Sequence, residues 1–149
     1  MKLLHHPGAG WSVRRARSSD FSDISVIFRA CLEVFPWRAG AVEEHLRLRI
    51  ALVQGDILVA EEDQAGVIGF LILERKKPYV SHLFVDPDWS FCGVGAGLLE
   101  VARDVVRQPL QLDVDVLNVH AQAAYEAMGW TVVAPAGGRN GDQIRMIGP

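Results

Sequence analysis

Cysteine is scarce in this 149-residue chain: Cys31 and Cys92 are the only two, too few for a disulfide framework or a zinc cluster. An excess of one charge is lacking as well. The 15 basic and 18 acidic side chains leave a formal charge of −3, whereas a nucleic-acid binder gathers a basic excess on one face. No apolar run reaches the ~18–20 residues of a membrane span. Met1 to Gly10 lacks the hydrophobic stretch of a signal peptide ahead of His5-His6 and Pro7. Low-complexity tracts beyond that start and internal repeats are missing too, and the His5-His6 pair, able to bind a metal, reads as part of a solvated terminal stretch. What remains is the expectation of a reduced, cytoplasmic protein with no metal, no membrane and no nucleic acid among its partners. Half of its residues are apolar, which suits one compact core.

Residues 1–11 carry no periodic pattern and read as a flexible arm, leaving 12–149 as the domain. A strand fits Ser12 to Ala16, and Asp20 stands where a helix N-cap belongs. Ile24, Ile27, Phe28, Cys31, Leu32 and Phe35 then share one helical face up to Pro36. A second helix is predicted over Ala41 to Val53, with Val42, His45, Leu46, Ile50 and Val53 inward and Gly55 closing it. Asp56 to Glu61 and Val67 to Leu73 read as a hairpin, followed by a strand from Tyr79 to Val85. Helical spacing resumes from Gly97 to Val106. Leu110 to Val116 alternates apolar and polar, the mark of a strand with one buried face. Ala121 to Met128 is helical, and Thr131 to Ala134 and Gln143 to Ile147 close the chain as a hairpin. The order β-α-α-β-β-β-α-β-α-β-β implies an α/β (α+β) fold built on a mixed sheet with helices on its faces.

Two constellations carry chemistry. Cys92-Gly93-Val94-Gly95-Ala96-Gly97 lies between a strand and a helix, where backbone amides and the positive helix end favour a phosphate or pyrophosphate. Glycines also serve tight helix–strand packing. No Lys-Ser/Thr follows, which excludes a P-loop, and three strands precede the turn, which disfavours a dinucleotide fold. Downstream, Asn118, Ala121, Tyr125 and Gly129-Trp130 place 118, 121 and 125 on one helical face. Taken alone, Tyr125 also fits a packing tyrosine and Gly129 a helix C-cap.

Together, these motifs resemble the GCN5-related N-acetyltransferase (GNAT) superfamily, and the likeness runs over nearly the whole chain. Val13-Arg14-Arg15-Ala16 with Asp20 is similar to the family's first strand and helix start. Leu83-Phe84-Val85-Asp86-Pro87 with Gly93-Val94-Gly95 and Leu98-Leu99 is similar to its fourth strand and pyrophosphate loop, and Asn118 to Trp130 to its later motif. The resemblance implies acetyl-CoA as acyl donor. The amides of Phe91, Cys92, Gly93, Val94, Gly95 and Ala96 would hold the pyrophosphate. The backbone of Leu83, Phe84 and Val85 would pair with the pantetheine arm, in a gap where the fourth and fifth strands splay apart. Asn118 would contact that arm, and Tyr125 would return a proton to the thiolate after direct attack and collapse of a tetrahedral intermediate. Ser90 and Phe91 depart from the family's loop, which has Gln or Arg and a glycine there; weaker cofactor binding is the expected consequence.

An attacking amine must first lose a proton. Asp113 stands where enzymes that acetylate protein N-termini carry a glutamate, and Asp115, on the same face, would attract a cationic amine. His82 has the intrinsic pKa for work near neutrality. Each also fits a plainer role, a solvated strand face for the aspartates and a satisfied strand histidine for His82. Trp37 lies in the stretch that forms one wall of the acceptor pocket in this family, placed either to stack on a substrate or to cap the core. Arg14, Arg15 and Arg17 read as solvated charges. The expected activity is N-acetylation of a small amine or a peptide N-terminus by a chain that is a candidate homodimer. The alternative is a non-catalytic acyl-CoA-binding module.

Overall fold

The computed structural model describes residues 4–6, 10–34, 40–90, 92–136 and 143–149. Trp37, Phe91 and the loop at 137–142 lie outside the described residues. Five strands form one antiparallel sheet in chain order: β1 (Leu4–His6), β2 (Trp11–Arg15), β3 (Gly55–Glu62), β4 (Gly66–Glu74) and β5 (Val80–Val85). The other three are β6 (Gln111–Asp115), β7 (Thr131–Ala136) and β8 (Gln143–Ile147), antiparallel with β8 in the middle. Helices α1 (Phe21–Val34) and α2 (Ala41–Gln54) come between β2 and β3. Helix α3 (Val94–Val106) precedes β6, and α4 (Val119–Ala127) follows it.

Strand β4 organises the core. Its residues from Val67 to Leu73 are all buried, as expected for a strand covered on both faces. Leu71 and Leu73 join Leu98, Ala102, Leu112 and Met146 on one side. Phe70 and Ile72 join Ile24, Phe28, Leu48 and Phe84 on the other, beneath α1 and α2. Gly69 lets α3 approach: a Cβ there would lie 3.1 Å from Val94 Cγ1 and 3.2 Å from the Phe84 carbonyl.

Among the described residues the two sheets meet at one parallel bridge, Tyr79 with Gln111, and at a hydrogen bond from Gln111 N–H to the Pro78 carbonyl, 2.7 Å. Beyond this root, β5 and β6 have no ladder between them. The splay is the feature on which the site depends.

Four local expectations need correction. The stretch 1–11 is not simply an arm, because Leu4–His6 pairs with β2 and Trp11 is buried. Helix α2 turns a different face inward: Val42 and Val53 are 77% and 75% exposed, with Leu46 and Ile50 also exposed, while Glu44 and Leu48 are buried. Apolar residues occupy two stripes of this helix, and packing against α1 chooses the one with Leu48, Ala51 and Leu52. Helix α3 starts at Val94, so Gly95 and Gly97 lie inside its first turns. Arg14 is no solvated charge. Its guanidinium donates to both Asp20 oxygens, 2.8 and 3.0 Å, and to both Glu61 oxygens, 3.3 and 2.9 Å. Asp20 itself belongs to a 3-10 turn, Ser18–Asp20, ahead of α1 and accepts from Arg17 N–H at 2.7 Å.

Candidate active site

The gap between β5 and β6 is a cavity of about 220 Å³ whose lining includes Leu83, Phe84, Val85, Asp113, Asp115, Asn118 and Tyr125. Among the described residues no strand pairs with the β5 edge that faces it, so backbone groups from Val80 onward are open to an extended ligand. The Val85 carbonyl accepts from the buried Cys31 thiol, 3.2 Å.

At the upper end of β5, Gly93 adopts φ +79° immediately before α3, a left-handed conformation that glycine takes without steric cost. The first intrahelical bond runs from Gly97 N–H to the Gly93 carbonyl. The amides of Val94, Gly95 and Ala96 thus precede the helical ladder. No acidic residue lies in that first turn, and a helix start carries roughly half a positive charge. A Cβ at Gly95 would lie 3.8 Å from Val85 Cγ2, which ties this turn to the end of β5. The Val94 side chain is buried, so the residue offers a ligand its amide only. Cys92 is exposed and its thiol contacts the Ser90 carbonyl at 3.7 Å. Ala96 also borders a separate cavity of about 430 Å³ with Trp130 and Pro149.

Asn118 caps α4, its Oδ1 accepting from Ala121 N–H at 3.1 Å. One turn further, the Tyr125 ring packs on Trp130 with centroids 5.4 Å apart. Its hydroxyl makes no hydrogen bond to another described residue, and burial pushes its pKa up to about 12. It therefore stays a donor at any working pH.

A second cleft, about 640 Å³, opens on the other side, lined by α2, β4, β5, β6 and β8 residues that include Glu44, Arg47, Tyr79, His82 and Gln143. Ser81, Asp113 and Asp115 border both cavities. His82 lies in the second cleft, with Nδ1 2.9 Å from Ser81 Oγ and its ring among Phe28 and Phe84. Asp115 is buried and accepts from Gln143 Nε2 at 3.1 Å. Asp113 is bound more tightly: Arg145 Nε and Nη2 donate to it at 2.8 and 3.0 Å, and Tyr79 Oη at 2.8 Å. Burial alone would raise its pKa, but these hydrogen bonds outweigh burial and hold it below the usual carboxylate range.

The arrangement joins a helix start with amides ahead of its ladder, an open strand edge, a half-buried phenol and a second cleft that shares Ser81, Asp113 and Asp115 with the first. Ser81, Tyr79 and Arg145 escape sequence reasoning. Only Ser81 left a signal, as the hydroxyl neighbour of His82.

Comparison with known proteins gives the family. A relative 27% identical over 124 residues, the peptidyl-lysine N-acetyltransferase YjaB of Escherichia coli K12, covers 81% of this chain and 82% of its own length. The solution structure of apo YjaB matches with TM-score 0.76 at 24% identity, over 93% of this chain and 99% of that one. The crystal structure of the PaiA N-acetyltransferase of Thermoplasma acidophilum in complex with coenzyme A matches with TM-score 0.74 at 18% identity, over 99% of both chains. A model of the acetyltransferase (GNAT) domain matches residues 20–147. The chain belongs to the GNAT family of acetyltransferases.

Proposed function

We propose that this protein transfers an acetyl group from acetyl-CoA to the side-chain amine of a lysine in a peptide. The observation that carries the reading is that Ser81, Asp113 and Asp115 line both cavities, which we read as an opening through which an amine reaches a thioester. On this reading the start of α3 binds the pyrophosphate and the open edge of β5 pairs with the pantetheine arm. Tyr125 donates to the departing sulfur. Asp115 supplies the negative charge that draws an ammonium into the opening. The amine proton passes by the Ser81 hydroxyl to His82, whose Nδ1 lies 2.9 Å from that hydroxyl. The Arg145 and Tyr79 bonds to Asp113 leave it poorly suited to accept a proton. YjaB carries its lysine specificity in its name, and the size of the second cleft is compatible with a side chain entering from a larger partner.

The test is calorimetric titration with acetyl-CoA, coenzyme A and ATP, followed by turnover with a lysine peptide, an N-terminal-amine peptide and small amines. Micromolar binding of acetyl-CoA without comparable ATP binding, and turnover favouring the lysine peptide, is the expected result. A preference for small amines or N-termini would overturn the acceptor assignment. Tight acetyl-CoA binding with no turnover on any amine would return the non-catalytic module.

A further inference from the structure

We propose that Tyr79, Asp113 and Arg145 form a clamp that holds β5 against β6 at the root of the splay and sets the width of the acyl-donor cavity. Asp113 is thereby a positioning residue and not the proton acceptor. The proposal rests on reading that cavity as the acetyl-CoA site.

The two sheets share very little backbone. Among the described residues their pairing is the single Tyr79–Gln111 bridge, supported by the Gln111 N–H to Pro78 bond. Two strands held at one point can pivot there unless side chains fix the angle. The three residues lie at that pivot. Tyr79 belongs to the five-stranded side, since its carbonyl accepts from Glu74 N–H at 3.0 Å. Asp113 and Arg145 are direct cross-strand partners on β6 and β8. The Tyr79 hydroxyl reaches across to Asp113 at 2.8 Å, and the Arg145 guanidinium lies over the Tyr79 ring, 5.0 Å from its centroid. The contacts close a loop of three, in which each side chain touches both others. A planar guanidinium forking onto a carboxylate fixes direction as well as distance.

Position adds to the case. Asp113 borders both the donor cavity and the acceptor cleft. Tyr79 lines both the acceptor cleft and a further cavity of about 230 Å³, which Arg145 also lines. The clamp is thus an end wall for the acceptor and a spacer for the donor. A carboxylate needed as a proton acceptor gains nothing from two cationic N–H groups and a phenol, because each favours its ionised form. A carboxylate needed as a fixed anionic post gains from all three.

Three variants test this: Tyr79→Phe, Arg145→Met and Asp113→Asn. The clamp predicts that each weakens coenzyme A binding by a similar factor, roughly 5–20-fold by calorimetry. It also predicts that the acid limb of the pH–rate profile stays in place, and that Asp113→Asn with Arg145→Met is no worse than either alone. Tyr79→Phe removes one oxygen and keeps the ring, so it guards against a result due to misfolding. Its amide-exchange readout needs no ligand. Exchange at Gln111 N–H should quicken at least fivefold while β3–β4 amides are unchanged, and this holds even if the protein binds no acetyl-CoA. Asp113→Asn alone abolishing kcat or moving the acid limb, with the other two variants silent, would make Asp113 the base and overturn the proposal. Unchanged Gln111 exchange in Tyr79→Phe would overturn it equally.

Discussion

Replacing Tyr125 by Phe probes how the leaving sulfur is handled, and the structure sets the size of the effect. Burial raises the phenol to about 12, above the roughly 8.5 of a cysteine thiol. Complete transfer of the phenolic proton to a thiolate is therefore uphill. Tyr125 is better matched to donating a hydrogen bond to developing negative charge, worth about 1.5–3 kcal/mol. That range converts to a loss of about 10–150-fold in kcat. The variant keeps its ring on Trp130 and the first turn of α3 untouched, so the KM for acetyl-CoA should stay within about threefold. Release of free thiol, followed with a chromogenic disulfide, measures both constants. The parent should show no alkaline limb from this group below about pH 11. A kcat equal to the parent's would remove Tyr125 from the mechanism. A loss beyond ~10⁴ would mean that the proton is fully transferred and that the pKa argument is wrong.

Two further predictions concern stability. Arg14→Met strands the buried Asp20 carboxylate and should cost about 2–4 kcal/mol at pH 7, since the side chains are only 16% and 8% exposed. The more exposed Glu61 adds little. By thermal melts this is a fall of about 5–15 °C. Arg14 holds both carboxyls below their unfolded values. The stabilisation is thus complete above about pH 5 and fades as pH falls through the lowered folded values, so the gap between variant and parent must narrow in acid; a gap independent of pH would refute the triad. In α2, Leu48→Ala should cost about 2–4 kcal/mol, whereas Val42→Ala stays within about 0.5. Urea denaturation decides between the two faces, and the reverse order would restore the one that the hydrophobic spacing first suggests.

The order of elements was legible because each strand and helix writes its own period into local sequence, and the Gly93–Gly95 turn and the Asn118–Tyr125 spacing were legible for the same reason. What escaped is non-local. Asp113 and Asp115 look alike in Gln111-Leu112-Asp113-Val114-Asp115, yet Arg145 lies opposite one and Gln143 opposite the other. Nothing within a few residues of either aspartate announces which partner the β6–β8 register will supply. Arg14 was misread similarly, since its two carboxylates come from a 3-10 turn and from β3. Helix α2 failed for a different reason. Its apolar residues fill two stripes, so periodicity alone leaves the buried face undetermined.

The burial of β4 on both faces has a cost outside the native state. Val67-Ile68-Gly69-Phe70-Leu71-Ile72-Leu73 contains no charge and no proline, the composition that stacks into intermolecular β-structure when it is left uncovered. In the folded chain β3 and β5 occupy both of its edges, and α1, α2 and α3 cover it. While the chain is being synthesised, β5 and α3 do not yet exist, so for that interval the segment is shielded only by what precedes it. Its flanks are charged, with Glu61-Glu62-Asp63 before and Glu74-Arg75-Lys76-Lys77 after, and such flanking charges oppose self-association. Heating past the melting point exposes the same seven residues in every molecule at once. Aggregation from the unfolded chain is therefore the expected route of inactivation there, and the rate of unfolding sets how long the protein lasts.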